Sequence, residues 1–145
     1  MDVLDLIKQK YQKIVDLLSE LCSPGIQKRY TIFNQLSQEI NLLAELEQQT
    51  FYPFLRQRYP NHDEQIMINE GEYSRIQQLL EELESFSPAS KEFEQKSSDM
   101  HNIVKYYIQE KVDKVLLEAS KCLTNTERQQ LSHEFIERQD FLNNY

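Results

Sequence analysis

Glycine occurs twice and proline four times in 145 residues, so the chain has few places to turn sharply and long elements are expected. No run of alternating apolar and polar residues bounded by turn formers occurs, which removes the signature of a strand. Leu, Glu, Gln and Lys are abundant instead, and the expected fold class is all-α. Basic residues are also few: 16 Lys and Arg stand against 24 Asp and Glu, a formal net charge of -8. That balance works against a phosphate backbone and against anionic membrane surfaces, so neither nucleic acid nor a membrane is an expected partner. Nothing approaches the roughly 18 apolar residues of a membrane span. The opening "MDVLDLIKQK" lacks the basic-then-apolar order of a signal peptide, and a cytoplasmic protein is expected. Cys22 and Cys122 lie far apart and follow no metal-ligand spacing, which makes free thiols the expectation. With 39% hydrophobic content the chain is long enough for one domain with a core, taken as 1-145.

What is present is a set of apolar stripes spaced alternately three and four residues, the pattern of a helical bundle. The first stripe runs Leu4, Ile7, Tyr11, Ile14, Leu18, Leu21 and stops before "SPG", where Ser23 can cap and Pro24 suits the first turn of the next helix. The second runs Phe33, Leu36, Ile40, Leu43, Glu47, Phe51, with Pro53 expected to kink or end it. Asn61 with Glu64 resembles a capping box opening a third stripe of Ile66, Asn69, Tyr73, Ile76, Leu80 and Leu83. After "SFSPAS" the fourth takes in Met100, Ile103, Val104, Tyr107, Lys111 and Val115. "TNTE" at 124-127 is a second candidate box before a shorter, weakly amphipathic C-terminal helix carrying Leu131, Phe135 and Leu142. The expectation is an up-down-up-down four-helix bundle over about 3-119, with the added helix at about 125-143 packed across one end. Each main helix of roughly 20 residues spans about 30 Å. Helices one and four then end at opposite poles, which keeps Cys22 and Cys122 apart.

Polar residues interrupt the stripes: Tyr11, Glu47, Tyr73, Tyr107 and Lys111. In antiparallel helices of equal length all five fall near mid-length and can meet in one layer. A tyrosine at a core position is an ordinary core residue once its hydroxyl finds a partner. Glu47 is harder to place, because an ionised carboxylate is costly to bury unless paired and hydrogen-bonded. Either it has donors inside or it lies at a stripe edge with its carboxylate in water.

Little else in the chain carries chemistry. His62, His101 and His133 show no i to i+3 or i+4 spacing and read as surface histidines. "ELEQQ" and "EELE" read as solvated helix faces, and no phosphate loop or nucleophile grouping occurs. "FYPFLRQRYP" offers aromatics either for a protein partner or, more simply, for the end of the core.

Over residues 4 to 118 the chain resembles the hemerythrin-like family of HHE cation-binding domains, four-helix bundles that hold two irons inside. "EQQTFYPFL" resembles the family's ligand helix running into an aromatic pair and Pro, "EYSRIQQLLEEL" its third-helix segment, and "NIVKYYIQEKVDKVL" its fourth without the acidic run. The resemblance places the family's ligand positions on Tyr11, Leu43, Glu47, Tyr73, Tyr107 and Lys111, so that Glu47 alone keeps a ligand-type side chain. Leucine has no lone pair and a protonated lysine repels a cation. A neutral phenol is a poor ligand until it loses its proton. The resemblance therefore implies a degenerate member without a di-iron cofactor, in which the Lys111 ammonium takes the place of the metal charge, Glu47 is its counter-ion and the three tyrosines satisfy the rest.

The function expected from this is a non-enzymatic module, binding or regulatory, whose partner is another protein; self-association stays open. The alternatives are an unusual metal or small-ligand site for oxygen or redox sensing built on Glu47 and the tyrosines, and a cavity for a small organic ligand left by the lost metals.

Overall fold

The computed structural model describes residues 1-23 and 25-144, the side chain of Ile26 excepted. Helix α1 (Val3–Cys22) opens on Asp2, whose carboxylate accepts from the backbone N–H groups of Leu4 and Asp5. The second rod is continuous through 26-58: α2 (Ile26–Leu46), a π-helical stretch (Glu47–Phe51), and α3 (Tyr52–Arg58). A 3-10 turn (Pro60–His62) leads into α4 (Asp63–Glu84). The fourth rod joins α5 (Lys91–Lys111), a second π-helical stretch (Val112–Leu116) and α6 (Leu117–Cys122); α7 (Asn125–Asn143) follows. This is the expected all-α bundle with an added helix, and among the described residues there is no strand.

The stripes face inward as their spacing requires. Ile7, Leu18, Leu21, Leu36, Phe51, Leu55, Ile66, Leu83 and Met100 are all buried to within 1%. Helix α1 packs against α2 and α5, and α4 against α5. Lys13 reaches across to Glu39 at 2.9 Å, tying α1 to α2 on the outside. Backbone contacts between α2 and α4 are sparse. Side chains span that seam: the Tyr73 hydroxyl donates to Asn41 Oδ1 at 3.1 Å, and Gln77 Nε2 donates to the Tyr73 oxygen at 2.6 Å.

Several local expectations need correction. Pro53 does not end the second helix. It sits early in α3, directly after a π turn in which the Tyr52 N–H bonds to the Glu47 carbonyl, five residues back. A turn widened there accommodates a residue with no N–H to give. Asn61 and Glu64 form no capping box, because the 3-10 turn moves the helix start to Asp63 and the cap to His62, whose side chain makes no capping bond. The box at Thr124 and Glu127 does form, with both reciprocal bonds in place. Helix α2 starts from Gly25, held at φ 145°, a conformation that favours glycine; Pro24 lies outside the described residues. Helix α7 does not cross an end of the bundle. It lies on the flank of α1, α2 and the first π stretch, held by buried Leu131 and Phe135 and by Arg128, which pairs with Asp2 at 3.2 Å.

Candidate functional site

The interior site is built where the two π stretches flank one level of the bundle. Glu47 is the first residue of one, and Lys111 immediately precedes the other. A π turn inserts about one extra residue, so the helix rotates and two consecutive side chains point inward. Phe51 and Tyr52 are 0% and 4% exposed, and Val115 and Leu116 are likewise both buried.

Glu47 is 2% exposed, so the stripe-edge alternative fails and the carboxylate lies inside. Its Oε2 accepts from the Tyr52 hydroxyl at 2.6 Å and from the Tyr11 hydroxyl at 3.3 Å. Its Oε1 faces the Lys111 ammonium at 3.4 Å, and the same Nζ stands 5.5 Å from the centre of the Tyr11 ring. The Lys111 side chain is 11% exposed against 3% for Glu47, so the lysine is the more accessible partner of the pair. Burial first, and then the neighbouring Glu47 carboxylate, holds both the Tyr11 and the Tyr52 phenols well above the usual tyrosine range. Both therefore remain donors. Asn69, 1% exposed, adds a buried amide whose Oδ1 accepts from Gln65 and whose side chain faces the Tyr52 phenol.

Of the six ligand-type positions, Tyr11, Glu47 and Lys111 come together in direct contact, and Leu43 lines the same cavity. Tyr73 lines it too, but its hydroxyl is engaged in the seam by Asn41 and Gln77 and does not reach Glu47. Tyr107 is half-buried beside Tyr106 and outside the cavity, where Ile108 points in. The expected three-tyrosine shell is thus two tyrosines, and one of them is Tyr52. An α-helical period places residue 52 off the inward face; the signal that locates it is Pro53, since a helix that continues through proline must skip a backbone bond nearby.

The cavity has a volume of about 40 Å³ and is walled mainly by Ile14, Ile40, Leu43, Ile76, Val104 and Ile108. At 10–15 Å³ for each water, this holds roughly three and leaves no room for a drug-sized ligand.

A di-iron group does not fit these residues. One carboxylate, two neutral phenols and an ammonium are a poor donor set for iron, and the ammonium repels a cation where charge would be needed. Among the described residues no group of three or more His, Cys, Asp or Glu is placed to hold a metal ion.

The remaining candidates lie elsewhere. His62 is not a surface residue: it is 8% exposed and stacks on Tyr59 with ring centres 6.1 Å apart. His101 is half-buried beside Ser19, and His133 is exposed near Glu137. Cys22 and Cys122 are free, and burial pushes both thiols up, away from nucleophilic chemistry. In "FYPFLRQRYP", Phe51, Tyr52 and Leu55 are core, and Phe54 and Tyr59 are partly buried against it. No helix among the described residues is long and apolar enough to cross a membrane.

No family model matches the chain. In sequence it is 26% identical, over 136 residues, to a DNA nickase of Nostoc sp. (strain PCC 7120), covering 93% of this chain. The chain spans 38% of that protein's length. In structure it superimposes on a hemerythrin HHE cation-binding domain-containing protein from Mycobacterium kansasii with a TM-score of 0.84, at 15% identity, over 97% of this chain and 86% of the other. The fold is hemerythrin-like.

Proposed function

We propose that the chain is a metal-free, non-enzymatic module on the hemerythrin-like fold, serving as a protein-binding or regulatory unit. The observation that carries the metal-free part is the Lys111 ammonium 3.4 Å from buried Glu47. A tethered cation sits beside the one carboxylate of the interior and satisfies its charge, so a mobile cation gains little there. The regulatory part is supported by proportion. The Nostoc nickase matches this chain over little more than a third of its own length, so the matched segment works there beside a larger remainder. The nicking activity itself is not transferred. Neither cysteine is an activated thiol, and a net charge of -8 opposes the phosphate backbone.

The test is elemental analysis of protein purified from iron-rich medium, together with a supercoiled-plasmid assay in magnesium and manganese. Less than a tenth of an equivalent of iron and no nicked circles are expected. Stoichiometric iron with an oxo-bridge absorption band refutes the metal-free reading, and metal-dependent nicking refutes the non-enzymatic one.

A further inference from the structure

We infer that the interior is a receptor for an unbranched primary alkylammonium, in which the head of Lys111 is the resident occupant. The inference rests on the metal-free reading above and gives it a ligand chemistry.

Three features of the site select an ammonium. The carboxylate that lines the cavity is Glu47, fixed from one side by Tyr52 and Tyr11, which leaves Oε1 facing Lys111. The Tyr11 ring face lies 5.5 Å from the bound Nζ, and the Tyr52 and Tyr73 side chains line the same cavity. A carboxylate among aromatic rings is the arrangement that recognises organic cations. Ile14, Val104 and Ile108 line the cavity together with Lys111 and make its walls largely aliphatic. They accept a short alkyl chain and offer a hydrated inorganic cation nothing in return for its waters. A quaternary head is disfavoured, because it has no N–H to donate to Oε1.

A separation of 3.4 Å is long for an ammonium and a carboxylate, which normally meet at about 2.7–2.9 Å. Nearby, Glu72 has a buried Oε2 with no hydrogen-bond partner and lies within the electrostatic reach of Lys111 and Lys114.

The experiment removes the resident and returns its head. Lys111→Ala deletes three carbons and the ammonium, which is propylammonium. The thermal midpoint of this variant should rise with propylammonium concentration and saturate, while tetramethylammonium and potassium at equal ionic strength leave it unchanged. The double variant Glu47→Gln, Lys111→Ala should show no such rise. If Lys111→Ala is unfolded alone, the readout becomes the helical circular-dichroism signal regained on adding propylammonium. Equal responses to propylammonium and tetramethylammonium, a response retained in the double variant, or no response at all overturns the inference. The iron content of the unmutated protein tests the metal-free reading separately, so the two failures are distinguishable.

Discussion

The Tyr52 hydroxyl meets Glu47 Oε2 at 2.6 Å because the two residues are five apart along a π turn, where an α-helix would bring i and i+4 into register. The shorter of the two phenol contacts to the buried acid is therefore made within a single rod. Tyr11, arriving from α1, is the cross-bundle contact at 3.3 Å.

Replacing each phenol by phenylalanine should rank the contacts by distance. Tyr52→Phe removes a short bond to a charged group and should cost about 2 kcal/mol. Tyr11→Phe should cost roughly 1 kcal/mol, and Tyr73→Phe, whose hydroxyl belongs to the partly exposed seam, less than about 0.5 kcal/mol. Urea titration of the three variants measures this order. A Tyr73→Phe cost equal to that of Tyr52→Phe contradicts the assignment of the shell.

The two charges of the buried pair are not equivalent. Glu47→Gln leaves the Lys111 ammonium without its partner in a largely apolar cavity and should cost about 3 kcal/mol, at the low end for a broken buried pair because the lysine head can move toward water. Lys111→Met keeps the stem packing, leaves Glu47 with its two phenol donors, and should cost about 1 kcal/mol. Chemical denaturation of both proteins gives the comparison, and the reverse order would show that the carboxylate depends on the ammonium more than on the phenols.

Most of the architecture was legible in the sequence, because stripes such as Leu4 to Leu21 and Phe33 to Leu43 repeat at a period that only helices share. The meeting of Tyr11, Glu47 and Lys111 followed from antiparallel rods of equal length. Tyr52 and Tyr107 did not follow, for a common reason. Both fall where period alone misleads: a π turn rotates Tyr52 inward, and in regular α5 the stripe from Val104 to Lys111 can pass through residue 107 or 108, of which Ile108 is the one that lines the cavity. The flank position of α7 was hidden because only Leu131, Ser132 and Phe135 of its surface are buried, too few to define a face from the sequence.

Alkaline pH should unfold the protein through the same two phenols. Tyr11 and Tyr52 have folded-state values raised by burial and by Glu47 above the ordinary 10.0. Below pH 10 both states keep the protons and the full stability is present. As pH rises from 10 toward the raised values, the unfolded chain ionises first and stability is lost, by up to about 2.7 kcal/mol per pH unit for two protons. Urea titrations from pH 8 to 11 should show this decline, and the double variant Tyr11→Phe, Tyr52→Phe should flatten it. An unchanged slope in the double variant would assign the alkaline loss to other groups.

Glu72 should act in the opposite sense to a stabilising carboxylate. Burial, and then Glu110, raise its folded-state value above the ordinary 4.5, while Lys111 and Lys114 pull it down and do not prevail. The folded state therefore holds this proton more tightly than the unfolded chain, and the contribution present at low pH is lost as pH rises through 4.5 and above. At neutral pH the half-buried carboxylate is a net cost, its Oε2 being without a partner. Glu72→Gln should accordingly be more stable than the unmutated protein at pH 7, by less than about 1 kcal/mol because water reaches part of the group. The gain should vanish below about pH 4, where both states of the unmutated protein carry the proton. Thermal melts at pH 4 and pH 7 measure both arms, and a variant less stable at pH 7 would show that the attraction of Lys111 and Lys114 outweighs the burial.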